Sequence, residues 1–151
     1  YVDNWDNGGK DTIDYNNTDI SFSPNLIAKS QVSYNFRNLE ATWILKHIGN
    51  QYIDNSQSED RMLEKYTVNN LLFSYDVKLK NMKSAKITLL INNILDTEYA
   101  NRAWGYRFVS ESWDPREGGD PYINQDTDGY NMIGYFPQAT RNYMLGITLS
   151  L

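Results

Sequence analysis

The chain has 151 residues, of which 40% are hydrophobic and 14% aromatic, with 12 tyrosines and a formal net charge of -5. Lysine and arginine are scattered among acidic residues, so there is no basic face of the kind that neutralises phosphates, and nucleic acid is excluded as a partner. The absence of cysteine excludes disulfide frameworks, thiolate metal sites and a cysteine nucleophile. No apolar run approaches the roughly 18 residues of a membrane helix. A β-barrel stays open, because its strands alternate lipid-facing and lumen-facing residues and need no continuous apolar run.

In chain order, Tyr1 to Thr18 reads as a long loop, beginning YVDNWDNGGK. From Phe22 to Phe36 the even positions Phe22, Leu26, Ala28, Val32, Tyr34 and Phe36 oppose Ser21, Ser23, Asn25, Lys29, Gln31, Ser33 and Asn35. That alternation has the period of a strand with one apolar face. Asn35 to Asn38 is a short polar turn, and the next strand sets Leu39, Ala41, Trp43 and Leu45 against Glu40, Thr42, Ile44 and Lys46 and continues to Tyr52. A long loop follows from Asp54 to Lys65. From Asn69 to Leu79 the odd positions Leu71, Phe73, Tyr75, Val77 and Leu79 face Asn70, Leu72, Ser74, Asp76 and Lys78, with only Leu72 breaking the polar face. After a short turn at Lys80 to Lys83 comes a noisier strand, Ala85 to Ile91. There Leu90 spoils one face and Asn93 the other, which a bulge would explain. Asn101 to Phe136 reads as the longest loop. The last strand is the clearest: Tyr143, Leu145, Ile147, Leu149 and Leu151 alternate with Asn142, Met144, Gly146, Thr148 and Ser150, a face that is small or polar apart from Met144.

Short turns therefore alternate with long loops, as the periplasmic turns and extracellular loops of outer-membrane barrels do. The strands also reach the length of about 9 to 11 residues that a tilted strand needs to cross the hydrocarbon layer. Trp43, Tyr52, Tyr66, Tyr75, Tyr99 and Tyr143 fall mostly near strand ends or on the apolar face, the positions of aromatic girdles. The expected fold is all-β, an antiparallel transmembrane β-barrel. Five such strands cannot close a barrel of this size and would leave two adhesive edges, so further strands are expected N-terminal to Tyr1.

Three stretches carry a family resemblance: Gly49 to Tyr75, Ile91 to Phe108 (INNILDTEYANRAWGYRF) and Tyr135 to Leu151 (YFPQATRNYMLGITLSL). Asn93 to Tyr99 is similar to an Asn-aromatic/aliphatic-Asp-x-x-Tyr element of the TonB-dependent outer-membrane receptors. Phe136-Pro137-Gln138 leading into Arg141-Asn142-Tyr143 resembles that family's run into its terminal strand. The resemblance implies that residues 1–151 are about the last five strands of a plugged barrel of about 22 strands, in the outer membrane of a Gram-negative bacterium. It implies import of a scarce ligand, an iron-siderophore, cobalamin or a glycan. The partners it implies are outer-membrane lipid, TonB acting through an N-terminal plug region, the ligand, and a surface lipoprotein as a candidate. No cofactor is implied. The competing readings are a soluble all-β carbohydrate-binding module and an outer-membrane barrel of another class.

Trp104, Tyr106, Arg107, Phe108, Trp113 and Tyr122 crowd the longest loop, a composition suited to capturing a ligand or partner at the cell surface. Packing of the loop on itself is the plainer alternative. Asn124, Asp126, Asp128 and Gly129 fit the first half of a calcium loop, but Tyr135 stands where a bidentate glutamate belongs. An ordinary Asp-Gly turn is the simpler account. The single histidine, His47, has no second imidazole to share a metal, and the carboxylates are dispersed without a nucleophile or base, so no enzymatic activity is expected.

Overall fold

The computed structural model describes residues 2–4, 8–12, 14–78, 84–108 and 130–150. Its elements are β1 (Val2–Asn4), β2 (Gly9–Asp11), β3 (Ile27–Phe36), β4 (Leu39–Ile48), β5 (Gln51–Tyr52), a single 3-10 turn (Glu59–Arg61), β6 (Met62–Leu63), β7 (Tyr66–Val77), β8 (Ser84–Asn92), β9 (Ala100–Phe108), β10 (Tyr130–Pro137) and β11 (Asn142–Ser150). The described residues contain no α-helix, so the protein is all-β. The chain divides into two compact units, one formed by Asn25–Gly49, Lys65–Tyr99 and Pro137–Leu151 and the other by Tyr1–Pro24, Asn50–Glu64 and Ala100–Phe136.

The first unit is an open five-stranded sheet in the order β11-β8-β7-β4-β3, antiparallel throughout. These are the five strands that alternation predicts. Register runs unbroken from Ile27↔Ile48 to Phe36↔Leu39, from Leu39↔Tyr75 to Ile48↔Tyr66, and from Asn142↔Asn92 to Ser150↔Ser84. The turn Arg37–Asn38 closes the first hairpin with Arg37 in the left-handed region. Asn38 fastens it to β7: its Nδ2 donates to the Asp76 carbonyl and its own carbonyl accepts from the Asp76 amide. The turn expected at Lys80 to Lys83 lies outside the described residues.

Several expectations are corrected by local geometry. The first strand starts at Ile27 and not at Phe22, because Phe22 has a φ of 56°, the Ser23 amide closes a turn onto the Ile20 carbonyl, and Pro24 has no amide to offer a ladder. The second strand stops at Ile48 and resumes only as β5. The interruption is at Gly49, whose amide reaches the Leu26 carbonyl; an added Cβ would lie 2.2 Å from Asn25 Oδ1 and 3.2 Å from the Leu26 nitrogen, so a side chain here would displace that of Asn25 and crowd the Leu26 backbone. β8 carries no bulge; it pairs without interruption on both sides. The residues that disturb its pattern and its neighbours' are instead in register: Leu72 pairs with Leu90 and Leu90 with Met144. Three apparent exceptions form one apolar row on the polar face.

Strands appear in all three expected long loops, and the second unit is built from three pairs: β1 with β2, β9 with β10, and β6, inside the expected loop Asp54 to Lys65, with β5, which falls at the end of the strand expected to run to Tyr52. Its core gathers Ile53, Leu63 and Ala103, with Ala100 and Ile133 packed against them. The buried Arg61 folds the segment after β5 back on itself. Its Nε lies 3.1 Å from Asp54 Oδ2, near enough for an ion pair though not aligned as a hydrogen bond, and its Nη2 donates to Ser56 Oγ.

Candidate functional site

The alternation of the five strands, combined with their register, sorts the sheet into two chemically different faces. On one face three rows run across all five strands: Val32, Trp43, Leu71, Ile91 and Tyr143; Tyr34, Ala41, Phe73, Leu89 and Leu145; Phe36, Leu39, Tyr75, Ile87 and Ile147. Nothing in the described chain covers them: Tyr34 is 68% exposed, Leu145 72% and Ile147 65%. An apolar area spanning five strands far exceeds the isolated apolar residues that soluble surfaces normally show. At one margin of this face the chemistry turns polar. Trp43 Nε1 donates to Asn69 Oδ1 at 3.0 Å, and His47 Nδ1 lies 2.8 Å from Thr67 Oγ1.

The opposite face is polar along most of its rows. Ser33 and Thr42 share a hydroxyl hydrogen bond of 2.8 Å, Asn92 Nδ2 donates to Asn142 Oδ1 at 2.9 Å, and Lys86 Nζ is 3.8 Å from Asp76 Oδ1. The sheet thus has the two-sided chemistry expected of a wall between an apolar and an aqueous phase.

One end of the sheet is fastened by the Asn93–Tyr99 segment, and each residue that marks its resemblance has a separate structural task. Asn93, 2% exposed with a φ of 50°, ends β8. Its amide donates to Asn70 Oδ1 on β7, its Nδ2 to the Thr97 carbonyl, and its Oδ1 accepts from the Thr97 amide, all within 2.8 to 2.9 Å. Asp96 Oδ1 accepts from the Arg141 amide at 2.7 Å, holding the entry to β11. Tyr99 stacks on Tyr66 at the start of β7, with ring centroids 4.2 Å apart, and its carbonyl accepts from the Gln138 amide. Tyr66 and Tyr99, two of the aromatics expected in a girdle, thus stack on each other beside this latch. Beside the latch, on the polar face, lies a cleft of about 200 Å³ lined by Val68, Asn70, Asn92, Asn93, Tyr99, Gln138, Ala139 and Asn142.

The expected ligand-contact residues are split. Trp104, Tyr106, Arg107 and Phe108 belong to β9 and not to a loop. Trp104 and Tyr106 are 46% and 55% exposed, and Arg107 is exposed as well. The Trp104 indole lies directly over Gly134 of β10, where an added Cβ would come within 2.2 Å of its Nε1. Trp104 is thus seated by a glycine across the hairpin, with Tyr106 and Phe136 exposed on the same face by alternation. Trp113 and Tyr122 lie outside the described residues, as do Asn124, Asp126, Asp128 and Gly129 of the calcium pattern. Among the described residues no group of three or more His, Cys, Asp or Glu side chains is placed to hold a metal ion. Sequence reasoning missed β9 and β10 because they alternate in size more than in polarity: Trp104 and Tyr106 flank Gly105 and follow Ala103. Comparison with known protein families, characterised proteins and solved structures returns no match for the chain.

Proposed function

We propose that the chain is part of the wall of an outer-membrane β-barrel, about the last five strands of a TonB-dependent receptor of about 22 strands that captures a scarce ligand at the cell surface and imports it. The observation that carries this reading is the uncovered apolar face of the five-stranded sheet, backed by a polar face that suits an aqueous lumen. Its height is appropriate. Leu26 and the apolar positions of β3 extend to Phe36, and at ~3.3 Å per residue with a tilt of ~40° they span ~25 Å, the height of the lipid-facing band of such barrels. The open edges at β3 and β11 call for neighbouring strands, because unpaired amides and carbonyls are intolerable in lipid. The exposed Trp104, Tyr106 and Phe136 supply contact area for a ligand or a surface partner, and the energy for import comes from TonB through a plug region.

The absence of cysteine permits a clean test in outer membranes. Leu145→Cys should resist a membrane-impermeant maleimide and, once coupled to a membrane-permeant fluorescent maleimide, have its emission quenched by lipid-borne spin labels, whereas Asn142→Cys at the end of the same strand should react with the impermeant reagent. Equal reaction of both in the absence of detergent would remove the membrane reading and leave the soluble binding module.

A further inference from the structure

The polar face carries a charge arrangement that the sheet does not explain by itself. Lys29 of β3 and Lys46 of β4 are direct cross-strand partners, and Lys46 pairs in turn with Val68 of β7. Like charges directly opposite each other in a sheet are destabilising, yet among the described residues neither lysine has an ion-pair partner. The acidic residues on this face of the sheet, Glu40 and Asp76, stand at the opposite ends of β4 and β7, and Asp76 already pairs with Lys86. Both lysines are exposed.

Val68, the neighbour of Lys46, is also a wall of the cleft beside the latch. Besides Tyr99 and Ala139, the other walls are carboxamides from neighbouring strands and the segment leading into β11: Asn70, Asn92, Asn93, Gln138 and Asn142. Carboxamides both donate and accept and carry no charge, so they suit hydroxyl, carbonyl or amide groups of a ligand. The volume of about 200 Å³ is below that of a pocket enclosing a whole drug-sized molecule and matches one segment of a larger ligand.

We propose that this face binds an anionic small molecule, with a carboxylate or other oxyanion bridging Lys29 and Lys46 and a neutral hydrogen-bonding segment in the amide cleft. The proposal rests on the receptor reading, in which this face lines the lumen. It accounts for why two lysines are held side by side without a carboxylate of their own: the ligand supplies the charge, and charge-assisted hydrogen bonds to it are the strong kind.

The test uses the intact polypeptide that carries this chain, purified in detergent, with citrate as the anionic probe and maltotriose as the neutral one. Citrate binding is expected to weaken as salt is raised, and to fall about tenfold in Lys29→Gln and in Lys46→Gln, while Lys86→Gln leaves it unchanged. Without citrate, both glutamine variants should match or exceed the thermal stability of the parent, because they remove repulsion. Equal citrate affinity in the parent and the two variants overturns the proposal. So does lower stability in the variants, which would mean the lysines already neutralise carboxylates of the protein, and so does maltotriose binding without citrate binding, which would make the cleft a neutral-glycan site. Because binding is read in detergent, a failure here is distinct from a failure of the cysteine-labelling test in membranes.

Discussion

Leu63 and Leu145 are both strand leucines, yet Leu63 is 1% exposed and Leu145 is 72% exposed. The contrast extends to the units they belong to. In the hairpin unit β5 and β6 share only two residue pairs, and cohesion comes from side chains: Ile53, Leu63 and Ala103 cluster, and Arg61 is buried against Asp54 and Ser56. In the five-stranded sheet β3 and β4 are matched over ten pairs, and the backbone ladder supplies the cohesion while the largest apolar side chains face outward. The hairpin unit supplies its own interior, as a structure in water must. Among the described residues the sheet has none on its apolar side, where Leu145 and Ile147 stay exposed.

Four substitutions bear on that contrast. Leu63→Ala should have the largest effect, about 3 to 5 kcal/mol for a fully buried leucine, read as rapid proteolytic cleavage between Asn50 and Glu64 with the strands of the sheet still protected. Cleavage spreading at the same rate into β4 and β7 would show that the two units are not separately stabilised. Leu145→Arg should come next, costing about 2 to 4 kcal/mol in a bilayer if this face meets lipid, whereas Asn35→Arg, opposite Glu40 on the polar face, should stay within about 0.5 kcal/mol. Urea unfolding in lipid vesicles measures both, and similar effects of the two would erase the distinction between the faces. Gly134→Ala, at about 1 to 2 kcal/mol, should be milder than either leucine substitution, because the new methyl displaces a partly exposed indole. A shift in tryptophan emission that vanishes when Trp104 is also replaced by Phe would confirm where the displacement occurs.

The five strands of the sheet were readable from the period of their apolar residues, since alternation depends only on neighbours along the chain. What that period cannot reveal is anything that depends on a second strand. Leu72, Leu90 and Met144 each looked like a flaw in its own strand and become a row only when three strands are aligned. The start of the first strand is not legible, because the positive φ of Phe22 belongs to a turn and leaves no mark on polarity. The residues of the latch could be noticed as a motif, but their partners Asn70, Tyr66 and Arg141 come from distant parts of the chain. Of the expected contact residues, Trp104 and Tyr106 are exposed, while the glycine that seats Trp104 becomes visible only once β9 and β10 are paired.

The row of Leu72, Leu90 and Met144 has one more effect. Sliding a strand by one residue would carry its apolar residues to the polar face of the sheet. Sliding by two preserves the sidedness of every residue, so the two-faced chemistry of the sheet does not detect it. A two-residue slip of β8 along β7 would set Leu72 against a polar residue such as Thr88, and a slip of β11 would part Asn92 from Asn142. The few residues that depart from the alternation are therefore the marks by which a strand entering this sheet can tell its proper seat from the next equivalent one.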